Sequence, residues 1–203
     1  MIRIANDIPE RIPIAISARP VHLTRETIDR LFGVGYKLRV HAPLVQPGQF
    51  AAEDTVSLVG PRGRLAHVRV LGPPRATDQV EVSRSDEFAL GLDAPVRLSG
   101  DLSGTPGITI EGPAGHVQLK RGTICALRHI HMSPADAVRL GVQDGDMVAV
   151  AVRNGERDTV FGDVVVRVSP DYRLELHLDT DEGNAAGVRP GDTASLLGRR
   201  HRP

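Results

Sequence analysis

Two histidines separated by a single residue, His129 and His131 in the segment RHIHM, are the first candidates for chemistry in this sequence. Residues two apart in an extended strand project from the same face, so the two imidazoles lie side by side if this segment is a strand. Imidazoles in that arrangement can share a metal ion, and zinc is a natural occupant. The spacing also suits a polar strand face on which both histidines are simply hydrogen-bonded.

A third histidine lies in an alternating segment of the same half of the chain. In RLELHLDTDE, the leucines take one face and His177 takes the other. His177 is therefore a candidate third ligand, and Asp179, Asp181 and Glu182 are candidate partners for the ligating imidazoles. By itself, the alternation favours a solvent-exposed face with acidic neighbours.

A carboxylate and an arginine form a second group of candidates. In QVEVS, Val80 and Val82 face inward and Glu81 faces the other way, so Glu81 is either a ligand or, as the pattern alone favours, a surface residue. Arg75 lies in the proline-rich turn just before this segment. Loop arginines are usually solvated, but a guanidinium beside a metal is well suited to hold phosphate.

Composition narrows the class of protein. The chain of 203 residues has 25 Lys and Arg against 25 Asp and Glu, so it lacks the basic excess of a nucleic-acid or membrane-surface binder. Its one cysteine, Cys125, excludes an intramolecular disulfide, and we expect it to be a small core residue. The N-terminal segment looks like neither a secretory signal nor a transmembrane helix, which predicts a cytoplasmic protein.

The histidine element occurs twice, about half the chain apart. The segment from Arg19 to Gly33 matches the segment from Arg128 to Gly141, each with a histidine strand followed by a helical pattern. The copies differ where Pro20 stands in place of a histidine, and proline offers no metal ligand.

Each copy predicts a short helix after its strand. Thr24 and Ser133 are suitable N-caps, and Pro134 occupies the permitted first helical position. Apolar residues give each helix one buried side: Ile28, Leu31 and Phe32 in the first, and Ala137, Val138 and Leu140 in the second.

The rest of the chain indicates short strands joined by tight turns, because Gly and Pro number 21 and 15 while aromatic residues make up only 3%. Strands are predicted at 65–72, 79–83, 95–100, 108–119 (a hairpin turning at EGPAGH) and 163–168. The frame G-V-x-x-G-D, at Gly141 and Gly187, is typical of small pseudo-symmetric barrels. We predict a mainly β fold of two small β-barrel domains with short helices, residues 1–110 and 111–203, the first of which can also take in the C-terminal edge strand.

Six long segments resemble the PduL-type phosphate propanoyltransferases, a family of phosphotransacylases associated with bacterial microcompartments. They occur in order and cover nearly the whole chain, from about Ile12 to Ala194. The segments are IPIAISARPVHLT, QPGQFAAEDTVSLVGPRG, VRVLGPPRATDQVEVSRSDEFALG, PVRLSGDLSGT, RGTICALRHIHMSPADAVRLGV and ELHLDTDEGNAAG.

The resemblance implies two β-barrels, coenzyme A binding, and two metal ions, usually zinc, in one active site. The first histidine element here reads PVH instead of HVH, so one metal would keep only His22 and Glu81 as ligands. Arg75 would hold phosphate, and Phe88 would lie near coenzyme A at a subunit interface. The ligands implied for the other metal are His129, His131 and His177, and the further polar residues implied around the pocket are Ser17, Arg69 and Asn184.

The implied activity is reversible transfer of an acyl group, propanoyl or acetyl, between coenzyme A and inorganic phosphate, as in propanediol degradation. Phosphate would attack the thioester carbonyl directly, without a covalent acyl-enzyme. We expect a homodimer that binds acyl-CoA and phosphate, with no nucleic-acid or membrane partner. The segment before IPIAIS is too short for a targeting helix, which favours a free cytoplasmic enzyme or one delivered to a microcompartment by another route.

Two other classes stay open. Pro20 favours a non-catalytic metal- or acyl-CoA-binding relative on the same fold. The G-V-x-x-G-D frames favour a generic double-psi-like barrel module with unrelated, metal-free histidines. Metal content separates the generic barrel from the other two classes, and turnover separates the enzyme from the binding protein.

Overall fold

The computed structural model describes residues 11–199, in which strands predominate. In chain order the elements are β1 (Arg11–Ser17), β2 (Val21–His22), α1 (Arg25–Phe32), β3 (Val40–Pro43), β4 (Phe50–Val59), β5 (Arg64–Gly72), β6 (Gln79–Val82), α2 (Arg84–Leu90), β7 (Val96–Arg97), β8 (Thr109–Glu111), β9 (His116–Gln118), β10 (Thr123–Ala126), β11 (His129–Met132), α3 (Pro134–Leu140), β12 (Met147–Val152), β13 (Thr159–Val168), β14 (Glu175–Asp179), α4 (Thr180–Ala185) and β15 (Thr193–Arg199).

The two predicted helix starts are confirmed. The Thr24 hydroxyl accepts a hydrogen bond from the backbone N–H of Thr27 at the start of α1. Ser133 and Asp136 form a reciprocal capping box at the start of α3, with Pro134 in the first turn. These caps satisfy N–H groups that have no partner inside the helix. Each cap starts a helix directly after a histidine strand, and the strand ends there.

A curled sheet of nine strands forms the unit of residues 17–127 and 179–181, called here the sheet unit. Its strand order is β7-β10-β6-β2-β5-β4-β8-β9, with β3 paired to β4. The histidine strand β2 runs parallel to β5 and antiparallel to β6. Val21 belongs to the same buried apolar cluster as Ile28 and Leu31 of α1. Because side chains alternate along a strand, Pro20 and His22 take the opposite face.

A closed barrel of six strands forms the unit of residues 11–16, 128–178 and 182–199, called the barrel unit. Its order is β1-β14-β11-β13-β12-β15. The second histidine strand, β11, runs parallel to β13 and antiparallel to β14. Ile130 and Leu176 lie in the barrel core, so the histidines next to them in the chain lie on the other face of these strands.

The two units repeat one order of elements. Each has a histidine strand, a helix, an antiparallel hairpin (β4–β5 or β12–β13), a strand that returns beside the histidine strand (β6 or β14), and a second helix. The histidine strand pairs in parallel with the second strand of the hairpin and antiparallel with the returning strand in both units. The repeated sequence element is therefore part of a larger structural repeat.

The mainly β class is confirmed, as one closed barrel and one curled half-barrel. The chain passes from the sheet unit to the barrel unit after Leu127, whereas the sequence-based boundary falls after residue 110. The difference arises because β8 pairs with β4 and β10 pairs with β6, which keeps this segment in the sheet unit.

Some local expectations need correction. Val138 was expected on the buried side of α3, but its side chain is 83% exposed and Ala137 is the buried residue of this helix. Val138 occupies the position that the polar Asp29 has in the first copy of the repeat. The predicted strand at 95–100 shrinks to β7. The hairpin at EGPAGH is confirmed, with the Gly112 N–H donating to the Gly115 carbonyl oxygen at 2.8 Å. Among residues 11–199, none of the helices has the length and apolar character to cross a membrane.

Candidate active site

Three histidines come together in the barrel unit. The ring centroids of His129 and His131 lie 4.7 Å apart, those of His129 and His177 4.9 Å, and those of His131 and His177 4.7 Å. One ligand nitrogen from each ring lies within 4.8 Å of the other two. His129 and His131 are both buried, so water has limited access to the cluster.

Strand register produces this cluster. His129 lies opposite His177 across β11 and β14, and His131 lies opposite Glu175. Directly opposed residues share a face of the sheet, as do residues two apart in one strand. We call these four residues the barrel array.

A carboxylate and an aromatic ring contact the imidazoles. Oε2 of Glu175 lies 3.1 Å from Nε2 of His177. The ring centroid of Tyr172 lies 4.2 Å from that of His131, and the Arg167 guanidinium carbon lies 5.8 Å from the Tyr172 ring centre. Such contacts limit the rotation of two of the three rings, which favours ligands already held in place.

The donor set of the barrel array fits a metal ion. Three imidazoles from two adjacent strands match catalytic zinc sites, in which three protein ligands leave a fourth position for water or substrate. The carboxylate beside one of the imidazoles also matches the usual surroundings of a ligating histidine.

The sheet unit carries the same four positions, occupied by Pro20, His22, Gln79 and Glu81, which we call the sheet array. His22 lies opposite Gln79 across β2 and β6, and the Glu81 N–H donates to the Pro20 carbonyl oxygen at 2.9 Å. Nε2 of His22 lies 3.9 Å from Oε1 of Glu81, and both side chains are buried. Proline keeps the backbone hydrogen bond but offers no atom that can bind a metal, so the sheet array has two candidate metal ligands, His22 and Glu81.

A chain of hydrogen bonds links Glu81 to Arg75. The side-chain N–H₂ of Gln79 donates to Oε1 of Glu81 at 2.6 Å and to Oγ of Ser99 at 2.8 Å. Its carbonyl oxygen accepts from the Gly100 N–H at 2.8 Å. Arg75 donates from Nη1 to the same Ser99 hydroxyl at 3.4 Å. The loop arginine and the buried carboxylate are therefore held in one network.

The sheet array lies beside positive charge. Burial, with the charge of Arg75 adding to it, lowers the pKa of His22 to about 3. The imidazole is therefore neutral at neutral pH and retains a nitrogen lone pair for a metal. The backbone N–H of Arg75 donates to the Leu23 carbonyl oxygen at 2.8 Å, which holds the arginine at the end of β2. A guanidinium in this position suits the binding of an anion such as phosphate.

An arginine precedes each array and pairs with a carboxylate on the helix that follows the returning strand. Nε of Arg19 lies 2.7 Å from Oδ1 of Asp86 in α2. Nη1 of Arg128 lies 2.6 Å from Oε1 of Glu182 in α4, and this guanidinium also lies over the ring of Phe161. These ion pairs occupy equivalent positions in the two units and tie each histidine strand to a helix.

The residues that the resemblance implied around coenzyme A lie in four different elements. Ser17 ends β1, and Arg69 in β5 donates to the Ala52 carbonyl oxygen. Phe88 on α2 is 78% exposed. Asn184 on α4 is also exposed.

Two expectations of surface exposure are wrong. Alternation alone favoured solvent-exposed faces for Glu81 and His177, but Glu81 is 7% exposed and the His177 side chain is 16% exposed. Alternation distinguishes the two faces of a strand and says nothing about whether the second face is covered.

A carboxyl group that was not among the expected partners lies close to His177. Asp181 accepts a hydrogen bond from the Ser85 N–H, and Glu182 pairs with Arg128. Oε2 of Glu175 is the carboxyl oxygen that lies 3.1 Å from His177 Nε2.

Sequence reasoning gave Glu175 and Gln79 no role at the site. The available signal was their spacing, since each lies two residues before a candidate ligand in the same strand and therefore shares its face. Tyr172 carried no such signal, because its contact with His131 depends on the path of the loop before β14.

Known proteins resemble this chain over most of its length. A family model described as phosphate propanoyltransferase matches residues 13–189, which include all positions of both arrays. The chain is 52% identical over 190 residues to the phosphate propanoyltransferase of Salmonella typhimurium, covering 93% of this chain and 90% of that protein.

Two further proteins of the same name are equally similar. The protein of Thermotoga maritima is 54% identical over 186 residues, covering 92% of this chain and 89% of its own length. That of Klebsiella pneumoniae is 55% identical over 177 residues, covering 87% and 84%. The chain belongs to the phosphate propanoyltransferase family.

Proposed function

We propose that this protein is a phosphate acyltransferase that transfers a propanoyl group reversibly between coenzyme A and inorganic phosphate. The observation that carries the proposal is the three-histidine cluster of the barrel array, in a chain whose relatives are named phosphate propanoyltransferases. Arg75 supports it, since its hydrogen-bond network with the sheet array suits an anionic substrate.

The reaction exchanges one bond to the acyl carbon for another. A phosphate oxygen attacks the thioester carbonyl carbon, the new C–O bond replaces the C–S bond, and coenzyme A departs as a thiolate. Arg75 binds and orients the phosphate through its planar guanidinium. Bound zinc supplies Lewis acidity for the negative charge that develops on oxygen and sulfur. The burial of Cys125 supports direct transfer, because a buried thiol is poorly accessible as an acyl acceptor.

The metal content follows from the two donor sets. In this proposal, His129, His131 and His177 hold one zinc ion in the barrel array. A second ion in the sheet array binds more weakly, because His22 and Glu81 supply only two protein ligands where catalytic zinc usually has three. Water or substrate completes that second site.

The test is phosphate-dependent release of coenzyme A thiol from propanoyl-CoA, with acetyl-CoA run in parallel to compare acyl chains. We expect release that requires phosphate and is abolished by a zinc chelator. Arg75→Gln should raise the KM for phosphate, whereas the exposed Arg121→Gln should leave it unchanged. Bound zinc without turnover would favour the alternative that the protein is a non-catalytic metal- or acyl-CoA-binding relative. Absence of both zinc and turnover would contradict the whole proposal.

We propose further that the protein is a homodimer whose interface includes Phe88, because this ring is 78% exposed on α2. Ser17, Arg69 and Asn184 are proposed to contact coenzyme A. Light scattering on the wild type and on Phe88→Ser tests the assembly, and a monomeric wild type would contradict it. Residence in a bacterial microcompartment is tested by co-fractionation with purified shells.

A further inference from the structure

Glu175 lies inside the barrel array without belonging to its three-nitrogen donor set. It is 7% exposed, lies opposite His131 across the strands, and places Oε2 at 3.1 Å from Nε2 of His177. Removing a carboxylate from water is costly unless a partner compensates it. The imidazole of His177, on the same strand, is in contact with this carboxyl group.

We propose that Glu175 is a positioning residue that holds His177 in the orientation required for metal binding. The two residues share a face of β14, and Leu176 between them is fully buried, which anchors this part of the strand in the core. A carboxylate beside a ligating imidazole fixes the ring orientation and increases the basicity of the ligand. The inference rests on the metal site proposed above.

The sheet array supports the same role at the equivalent position. There Gln79 stands where Glu175 stands, and Glu81 stands where His177 stands. The carboxylate of Glu81 can only accept hydrogen bonds, and its neighbour is an amide that donates to it at 2.6 Å. An imidazole offers an N–H donor, and its neighbour is a carboxylate acceptor. In both units the neighbour is chemically complementary to the candidate ligand, through a hydrogen bond in the sheet array and a close N···O contact in the barrel array, as a positioning role requires.

The test is a zinc competition titration against a chromogenic chelator. Glu175→Ala should bind zinc about 10- to 100-fold more weakly than the wild type. Glu175→Gln should show a smaller loss, because the amide keeps the shape of the side chain and an oxygen atom beside the His177 ring, although it loses the charge. The matched controls are Glu156→Ala and Glu156→Gln in the same unit, since the Glu156 side chain is 69% exposed. Thermal unfolding checks that each variant is folded, and if Glu175→Ala is not, the near-isosteric Glu175→Gln carries the test.

Cobalt-substituted protein distinguishes positioning from direct ligation. If Glu175 acts through His177, cobalt-saturated Glu175→Gln keeps the position and intensity of the wild-type visible bands. A changed spectrum would identify Glu175 as a ligand and overturn the proposal, as would wild-type zinc affinity in both variants. A wild type that binds no zinc would instead overturn the metal site itself, together with this inference.

Discussion

The two arrays share a strand framework but differ in their donor sets. In the barrel array, one cross-strand pair consists of two histidines, His129 and His177. In the sheet array, Pro20 and Glu81 occupy those positions and are joined through the backbone. The pairing tolerates proline because it uses only the carbonyl oxygen of residue 20, which proline retains. The comparison shows that this strand framework accommodates a residue without a ligand atom at the position that His129 occupies in the other unit.

The surroundings of the arrays differ as well. The sheet array is connected through Gln79 and Ser99 to the cationic Arg75. The barrel array contains the carboxyl group of Glu175 beside His177, and the ring of Tyr172 contacts His131. Positive charge suits a phosphate, whereas a carboxylate behind imidazoles suits a metal cation. Each array therefore contains one carboxylate, but the sheet array is linked to a loop arginine and the barrel array is contacted by an aromatic ring.

The largest effect is expected from removing an imidazole of the barrel array. His131→Ala leaves two ligands, so we expect loss of zinc from this array and about 10²- to 10³-fold lower kcat/KM for acyl transfer, the range seen when one group that stabilises developing charge is removed. Zinc per chain is measured by mass spectrometry and activity by thiol release. His116→Ala, at an exposed position of β9, is the control. Full activity in His131→Ala would show that the barrel array is not the reaction site.

The next substitution makes the metal-ligand sets of the two arrays more alike. Pro20→His supplies a third ligand to the sheet array, so we expect zinc to rise from about one to about two ions per chain, with a higher rate of acyl transfer. The backbone pairing with Glu81 should persist, because any residue at position 20 offers the same carbonyl. Pro20→Ala restores an ordinary backbone without a ligand and should leave the zinc content unchanged. Equal zinc in both variants would contradict the equivalence of the two arrays.

A third prediction concerns the protonation of the sheet array. The folded-state pKa of His22 is about 3, below the usual value of 6.5, so its contribution to stability is complete above pH 6.5. As the pH falls from 6.5 towards 3, the unfolded state binds the proton first, and stability falls by up to about 1.4 kcal/mol per pH unit.

Replacing His22 isolates its contribution to the pH dependence of the free energy of unfolding. His22→Gln should make the free energy of unfolding fall less steeply between pH 6 and 4, as measured by urea denaturation of metal-free protein. His41→Gln, at an exposed position, should retain the wild-type slope. An unchanged slope in His22→Gln would mean that His22 also accepts a proton in the folded state.

The smallest effect is expected where the helices of the two repeats differ. Val138→Asp introduces the residue that α1 carries at the equivalent position, and its side chain points to solvent, so the free energy of unfolding should change by no more than about 0.5 kcal/mol. Ile28→Ala, in the fully buried face of α1, should cost about 2–5 kcal/mol. Thermal or urea unfolding compares the two variants. A large loss of stability in Val138→Asp would contradict the exposed position of this residue.

The sequence was sufficient for features that depend on neighbours in the chain. The spacing of His129 and His131 places them on one face, and Thr24 and Ser133 mark the helix starts, because strand alternation and helix capping are local properties of the backbone. The repeat of the histidine element was also visible from the sequence, including the departure at Pro20.

Tertiary structure decided which of these faces meet and which are covered. Nothing local to His177 requires β14 to lie beside β11, and nothing local to Glu81 requires the polar face of β6 to be buried. The contact of Glu175 with His177 and the link from Gln79 through Ser99 to Arg75 also needed the folded chain. The physical reason is that alternation determines the direction of a side chain relative to its own strand, whereas its partners depend on the packing of distant segments around two separate cores.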